Sequence, residues 1–279
     1  MLEGTGIRLQ VFGTDRDTAS SRPVKEEIDD DTIEFDDVSF FDIAGDRFFV
    51  VAAQFDVAGT TLHYKTLEGG SFANVDDDTG FNGYKVTFNG IKNDDAVSIR
   101  SASIVDGTST FGLPDGNLDT TQSALWINVD GLRFANRDTL EIRLNLDFKG
   151  DGGRDVFLGG DGRDRVDGKG GADVLAGGRG RDRIDGGRGK DFIDGGSGKD
   201  ELTGGSAADT FVIGTSRAKD TITDFEVEKD LLLVAGTADR FKDIDLKKTD
   251  DGVLVNTGDG RVLLEDVSRG DIEADHFLF

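Results

Sequence analysis

The sequence predicts an all-β protein with an N-terminal antiparallel β-sandwich, a parallel β-roll and a C-terminal β cap. Three observations predict this organisation. Residues 31–148 contain short alternating or aliphatic stretches separated by Gly, Asn and Asp. Residues 150–212 repeat every nine residues and hold 20 of the 40 glycines, so the turn-forming residues are concentrated there. Residues 213–279 contain aliphatic strands and a hairpin signal.

The N-terminal half carries the sandwich prediction. Residues 1–30 are predicted to form a flexible or docking arm, and residues 31–149 a jelly-roll-like antiparallel β-sandwich. The acidic runs Glu26–Asp31 and Asp76–Asp78 fit either solvated loops or further cation sites. Met1–Gly6 has no basic segment followed by an apolar core, so we expect no cleavable secretory signal there. The predicted strands cover Phe48–Val57, Gly83–Phe88, Ala96–Ile104, Leu125–Val129 and Leu140–Phe148.

Two positions of the nonapeptide never vary in chemistry. Position six is Asp in all seven repeats, at Asp155, Asp164, Asp173, Asp182, Asp191, Asp200 and Asp209. Position eight is always apolar, at Phe157, Val166, Leu175, Ile184, Ile193, Leu202 and Phe211. A flexible Gly-rich linker is the alternative, but a linker has no reason to keep both residue types in phase.

The chemistry of the nonapeptide points to calcium. Gly at positions one, two and four allows φ > 0 and leaves backbone carbonyls uncovered. Carbonyl and carboxylate oxygens, with no sulfur or imidazole, are the ligands that Ca²⁺ prefers. Because one apolar side chain in nine residues cannot form a core alone, successive turns must stack.

This pattern resembles the RTX family, whose nonapeptide is GGxGxDxUx. The resemblance implies a parallel β-roll over residues 150–212 with two nonapeptides in each coil. It implies about five Ca²⁺ sites, each between a repeat and the repeat two places later. The implied aspartate pairs are Asp155 with Asp173, Asp164 with Asp182, Asp173 with Asp191, Asp182 with Asp200, and Asp191 with Asp209.

The resemblance also implies backbone carbonyl ligands. Positions two and four of the earlier repeat are Asp151, Gly153, Gly160, Gly162, Lys169, Gly171, Gly178, Gly180, Gly187 and Gly189. Positions one and three of the later repeat are Gly168, Gly170, Gly177, Arg179, Gly186, Arg188, Gly195, Ser197, Gly204 and Ser206. The chain departs from the family pattern at Asp151 and Lys169, which replace the second glycine, and at Ala207, which replaces the fourth.

The outward positions seven and nine differ between the two sets of repeats. The even repeats present charged residues, at Arg165, Asp167, Arg183, Asp185, Glu201 and Thr203. The odd repeats are largely apolar, at Val156, Leu158, Val174, Ala176, Phe192, Asp194, Thr210 and Val212. Exposed apolar patches usually mark contacts, so the odd repeats predict either packing against this chain's own flanking domain or self-association. Position five of the even repeats predicts charge compensation or an anionic cell-surface glycan, at Arg163, Arg181 and Lys199.

Residues 213–279 are predicted to be a cap and secretion signal. Asp220–Phe225 and Asp230–Leu233 resemble the D-x-I-x-D-F and acidic-aliphatic strands that close an RTX roll. A hairpin is predicted from Val253–Val255 to Val262–Leu264. Uncleaved C-terminal segments of this family are read by type I secretion machinery. The resemblance therefore implies a secreted, extracellular or cell-surface protein.

Composition narrows the function classes. There is no Cys, which rules out disulfides and thiolate metal sites. The net charge of −24 argues against a nucleic-acid partner, and no apolar run approaches the roughly 18 residues of a membrane span. With only His63 and His276, no H-E-x-x-H site exists, and Gly107–Phe111 lacks the final glycine of G-x-S-x-G.

We therefore predict a non-catalytic, calcium-folded protein that acts as a structural or adhesive subunit of a surface layer, matrix or filament. One alternative is an extracellular polysaccharide-binding module. Another is a carbohydrate-active enzyme that works through N-terminal carboxylates, whose spatial pairing is not visible in a sequence.

Overall fold

The computed structural model divides the chain into two compact units, Met1–Asn145 and Leu146–Phe279. Among the described residues, none of the helices has the length and apolar character to cross a bilayer. The structure describes residues 6–12, 24–27, 40–43, 46–49, 53–58, 61–66, 70–71, 83–88, 97–110, 112–128, 133–134 and 138–279.

The first unit is built from antiparallel strands. Its first eight strands are β1 (Gly6–Phe12), β2 (Val24–Glu27), β3 (Phe40–Ile43), β4 (Asp46–Phe49), β5 (Ala53–Ala58), β6 (Thr61–Thr66), β7 (Gly70–Ser71) and β8 (Gly83–Phe88). They are followed by β9 (Val97–Ile104), the 3₁₀ helix η1 (Asp115–Asn117), β10 (Leu118–Thr121), β11 (Ala124–Asn128), β12 (Arg133–Phe134) and β13 (Thr139–Lys149).

Five of these strands form one sheet in the order β10-β11-β8-β1-β2. Strands β5 and β6 pair in a hairpin, and β6 pairs with the start of β13, whose residues Leu140, Ile142 and Leu144 are buried. Strands β8, β9, β11 and β13 match predicted strands to within one residue at each end, and the predicted Phe48–Val57 overlaps both β4 and β5. The jelly-roll-like sandwich stays a prediction.

Two predicted features lie largely outside the described residues. Of the predicted arm, residues 6–12 and 24–27 are described, and they form β1 and β2. The alternation of Ile7, Leu9 and Val11 is typical of a strand, and β1 pairs with β8. Of the acidic run Glu26–Asp31 only the first two residues are described, and Asp76–Asp78 lies outside the described residues.

The second unit begins in β13 and is dominated by parallel strands. Its repeat strands are β14 (Val156–Leu158), β15 (Arg165–Asp167), β16 (Val174–Ala176), β17 (Arg179–Gly180), β18 (Arg183–Arg188), β19 (Phe192–Asp194), β20 (Ser197–Gly198), β21 (Glu201–Ser206) and β22 (Thr210–Ile213). Later elements are β23 (Lys219–Ile222), β24 (Leu231–Val234), η2 (Phe241–Asp243), β25 (Asp245–Lys248), β26 (Gly252–Asn256), β27 (Arg261–Glu265), η3 (Arg269–Asp271), η4 (Ala274–His276) and β28 (Phe277–Leu278).

The repeat strands pair at an offset of two nonapeptides. Val156 lies beside Val174, and Arg165 lies beside Arg183, so each strand pairs with the strand of the repeat two places later. The odd repeats form the sheet β14-β16-β19-β22, and the even repeats form the succession β15-β18-β21. This confirms a parallel β-roll with two repeats in each coil.

The apolar side chains at position eight form the core of the roll. From Phe157 to Phe211, all seven are at most 2% exposed. Because strand side chains alternate, the residues at positions seven and nine of each short strand both point outward, away from the core. Stacking along the coil axis therefore buries one apolar side chain from each nonapeptide, as the sequence predicts.

The parallel stacking continues beyond Val212, where the sequence predicts the cap to begin. Strand β23 pairs with β21, and β24 pairs with β22, so Ile222 and Leu232 extend the buried column. Strands β26 and β27 form the predicted antiparallel hairpin. At the C-terminus, β28 adds a parallel strand beside β24 and buries Phe277.

Candidate metal centre

The structure brings the predicted aspartates together in two ladders, one along each edge of the roll. In each predicted pair, the Oδ1 atom of the later aspartate accepts a hydrogen bond from the backbone N–H of the earlier one. The five bonds are 2.8 to 2.9 Å long, from Asp155 to Asp173, Asp164 to Asp182, Asp173 to Asp191, Asp182 to Asp200, and Asp191 to Asp209. Stacking at an offset of 18 residues therefore places each predicted pair in adjacent coils.

The second carboxylate oxygen is buried and lacks a hydrogen-bond donor at several of these residues. The Oδ2 atoms of Asp173, Asp191, Asp200 and Asp209 have no hydrogen-bond partner, and these residues are at most 2% exposed. A buried carboxylate is strongly unfavourable unless a hydrogen bond, a cation or a proton compensates it. The unsatisfied oxygens therefore fit a metal ion.

Backbone carbonyls of the adjacent coil converge on these oxygens. A Cβ atom built on Gly186 would lie 2.6 Å from Asp191 Oδ2 and 2.8 Å from the Gly204 carbonyl oxygen. A Cβ atom on Gly168 would lie 2.6 Å from the Gly186 carbonyl and 2.8 Å from Asp173 Oδ2. Glycine is required at position one because a side chain there would occupy the space between a carboxylate and a carbonyl of the next coil.

Several of the other predicted carbonyls contact the adjacent coil. Some of those at positions two and three already accept one backbone hydrogen bond: Gly160 O accepts from Arg179 N at 2.6 Å, and Arg188 O accepts from Gly171 N at 2.7 Å. A carbonyl oxygen has two lone pairs, so one remains for a cation. Among the described residues, no three Asp, Glu or His side chains form a metal cluster, so backbone oxygens would have to supply most of the ligands.

Electrostatics favours a cation at the ladders. Burial raises the pKa of Asp200 and Asp209 to about 6, against the lowering effect of the backbone N–H groups that they accept from. Burial also raises the pKa of Asp173 and Asp191. Because burial disfavours the charged form, an ion between the coils would stabilise the carboxylates in that form.

The three departures from the glycine pattern have structural consequences. Lys169 and Ala207 adopt φ values of 68° and 100°, so they keep the left-handed backbone of a glycine at the expense of strain. The backbone N–H of Asp151 donates to Asp155 Oδ2 at 3.0 Å. That bond already occupies the oxygen that lacks a donor in Asp173, Asp191, Asp200 and Asp209, so the first turn differs from those turns.

Two ladder residues were not identified by the repeat pattern. Asp220 Oδ1 accepts from Asp200 N at 3.0 Å, and Asp230 Oδ1 accepts from Asp209 N at 2.9 Å. Their spacings, 20 and 21 residues, break the period of 18. The available signal was the local order of an aspartate two residues before an aliphatic residue, Ile222 or Leu232, as in the repeats.

Comparison with known proteins identifies the repeat. Residues 149–184 and 176–211 match the RTX calcium-binding nonapeptide repeat family. No curated protein matches the chain. Two solution structures from the Azotobacter vinelandii mannuronan C5-epimerase are similar. The AlgE6R2 subunit has 28% identity and a TM-score of 0.27, covering 48% of this chain and 89% of that one. The AlgE6R3 subunit has 25% identity and a TM-score of 0.24, covering 47% and 80%.

Proposed function

We propose that this chain, whose residues 149–211 are RTX calcium-binding repeats, is exported and folds on extracellular Ca²⁺ into a non-catalytic structural or adhesive subunit. RTX repeat proteins are typically secreted. The observation that carries the proposal is the row of buried aspartate oxygens without hydrogen-bond donors, such as Asp191 Oδ2, facing carbonyls of the next coil. Bound Ca²⁺ would supply the positive charge that these oxygens lack.

The magnitude of calcium binding makes it a folding switch. Extracellular calcium modules have dissociation constants of roughly 10⁻⁴ to 10⁻³ M. At ten times that concentration each site adds about 1.4 kcal/mol, so five sites add about 7 kcal/mol. Ordinary domains have total stabilities of roughly 5–15 kcal/mol. At low cytosolic calcium the aspartates repel one another, and the roll stays unfolded and able to pass through type I secretion machinery.

The structural role is supported by the exposed surface of the odd repeats, which we call the odd face. Among the described residues of the odd face, Val156 is 63% exposed, Leu158 is 56% exposed and Phe192 is 37% exposed. Large apolar side chains clustered on one face of a soluble protein mark a contact surface. Self-association through the odd face would build a surface layer, matrix or filament.

The first experiment follows folding of the full chain by circular dichroism during a calcium titration. We expect β structure to appear cooperatively with Ca²⁺ and to disappear in excess chelator, with Mg²⁺ as the control. Hydrogen exchange would then localise the change to residues 149–211. Exchange protection of those residues that persists in excess chelator would contradict calcium-dependent folding.

The second experiment measures assembly by analytical ultracentrifugation in millimolar Ca²⁺. Leu158→Gln on the odd face should weaken association at least about tenfold, since it removes apolar area from the contact. Arg165→Gln, an exposed position on the even face, is the matched control and should leave association unchanged. A strict monomer at high concentration would refute the structural role, while leaving calcium-dependent folding intact.

A polysaccharide-binding role is the second candidate, favoured by the basic side chains along the edge of the roll that the even repeats form, which we call the even edge. Arg181, Lys199 and Lys219 line one groove, although Glu201 and Glu265 line it too. Carboxylated glycans would pair with the basic side chains. Binding on a glycan array should be lost in Lys199→Glu and retained in Lys247→Glu, an exposed control outside the groove. No binding by the native chain would exclude this role.

The non-catalytic assignment has its own test. Both ring nitrogens of His276 contact the backbone, Nε2 with Val227 O at 2.7 Å and Nδ1 with Glu273 N at 2.9 Å. That arrangement suits a structural histidine that fixes the C-terminal turn. We expect no product release from alginate or related polymers by the calcium-loaded chain. Product release would favour the carbohydrate-active alternative.

A further inference from the structure

We infer that the calcium sites continue for one more step on each edge beyond the seventh nonapeptide, between Asp200 and Asp220 and between Asp209 and Asp230. This rests on the proposed calcium-dependent folding. It adds two sites that neither the nonapeptide pattern nor the matched residues 149–211 include. The even edge and the odd edge support it separately.

On the even edge, Asp220 repeats the geometry of a nonapeptide aspartate. Its Oδ1 accepts from Asp200 N at 3.0 Å, as Asp200 Oδ1 accepts from Asp182 N at 2.9 Å. The next backbone hydrogen bond also has the same geometry. Thr221 N donates to Asp200 O at 2.9 Å, as Glu201 N donates to Asp182 O in the preceding coil. The roll therefore keeps its register through this step.

Asp200 also has a buried carboxylate oxygen, as the nonapeptide aspartates do. Asp200 is 2% exposed, and its Oδ2 has no hydrogen-bond partner. In the repeats, the equivalent Oδ2 atom lies close to a carbonyl oxygen of the next coil, as Asp191 Oδ2 and Gly204 O do on either side of the space beside Gly186. Here the next coil is the loop that leads to Asp220. The Thr215 hydroxyl of that loop donates a hydrogen bond to the Gly196 carbonyl oxygen at 3.3 Å, so the loop lies against the position-two backbone of the sixth repeat.

On the odd edge, Asp230 repeats the backbone hydrogen bonds of a nonapeptide aspartate. Asp230 Oδ1 accepts from Asp209 N at 2.9 Å, and Leu231 N donates to Asp209 O at 2.9 Å. Asp209 is 1% exposed, with its Oδ2 unpartnered. Asp230 is 2% exposed, and its second oxygen accepts from Glu226 N at 2.8 Å, which fixes the carboxylate in place.

The longer loops are accommodated without loss of register. In the repeats the N–H of a position-one glycine donates to a backbone carbonyl, as Gly177 N does to Asp194 O at 2.9 Å. In the seventh repeat, Gly204 N donates instead to the side chain of Asp224 at 2.9 Å. At the other end of the roll, Leu146 N donates to Asp164 Oδ1, and Leu146 has no carboxylate to continue the series.

The test counts bound ions on the full chain by equilibrium dialysis with Ca²⁺ and by native mass spectrometry. We expect seven ions on the native chain. Asp220→Asn and Asp230→Asn should each lose one ion, while Asp271→Asn, an exposed aspartate outside the ladders, should lose none. Asn retains an oxygen for the backbone bond, so the loss would reflect the missing charge.

The possible outcomes separate the two proposals. No bound calcium on the native chain would overturn the proposed function. Calcium binding with the same stoichiometry in the Asp220 and Asp230 variants as in the native chain would overturn this inference alone. If either variant fails to fold in saturating calcium by circular dichroism, the native count decides. Seven bound ions would support both added sites. Six would support one added site and overturn the other, and five or fewer would overturn the inference.

Discussion

Removing one aspartate from the middle of a ladder should cost twice as much as removing one from its end. Asp182 Oδ1 accepts from Asp164 N, and Asp182 N donates to Asp200 Oδ1, so Asp182 belongs to two predicted sites. Asp164 is preceded in the ladder by Leu146 and belongs to one predicted site. Both are 2% exposed, so burial does not distinguish them. The pair Asp182→Asn and Asp164→Asn is therefore internally matched.

The expected magnitudes follow from calcium linkage. At free calcium ten times the dissociation constant, each site contributes about 1.4 kcal/mol to the free energy of unfolding. Asp182→Asn should then lower that free energy by about 3 kcal/mol, and Asp164→Asn by about 1.4 kcal/mol. Asn keeps an acceptor oxygen for the backbone N–H, so the hydrogen bond of the ladder is retained.

The assay is urea unfolding of the full chain at fixed free calcium, followed by circular dichroism, together with a count of bound ions. The slope against urea should stay constant, so that the shift in midpoint reports stability. Asp182→Asn should lose two ions and Asp164→Asn one. Equal losses from the two variants would refute the idea that each interior aspartate is shared by two sites.

Two further predictions concern protons and backbone strain. Burial raises the pKa of Asp200 and Asp209 to about 6 and of Asp220 to about 7, above the value near 3.9 in an unfolded chain. Their contribution to stability is complete below about pH 4 and is lost as pH rises through 6 to 7, so in chelator the roll should gain order on acidification from pH 8 to 5. Loss of order on acidification, by circular dichroism, would contradict this. Ala207→Gly should raise the free energy of unfolding by about 1 kcal/mol, because Ala207 is held at φ 100°. Its neighbour Ala208, which lacks a positive φ, should lose stability on the same change, and a gain in both would show that strain is not the cause.

The parts of the fold that the sequence predicted are those set by local periodicity. An apolar residue at every ninth position, from Phe157 to Phe211, fixes which side chain of each short strand points inward. Alternation likewise identified β8 and β9, and the Thr257–Gly260 turn identified the hairpin of β26 and β27. Composition alone indicated oxygen ligands, because the chain has no Cys and only two His.

The parts that could not be predicted depend on where loops of unequal length end. Asp220 and Asp230 follow their ladder partners by 20 and 21 residues, so no fixed period reaches them. At this step the side chain of Asp224, rather than a backbone carbonyl, accepts the hydrogen bond from Gly204 N. Which oxygen of each aspartate stays unsatisfied is likewise decided by packing between coils.

The sequence by itself determined the nonapeptide, the inward position of its apolar residue and the identity of its seven aspartates, because each depends on residues within one turn of the chain. The tertiary structure alone decided the continuation to Asp220 and Asp230 and the burial of the Oδ2 atoms. These depend on contacts between coils 18 or more residues apart, where stacking sets the distance between oxygens.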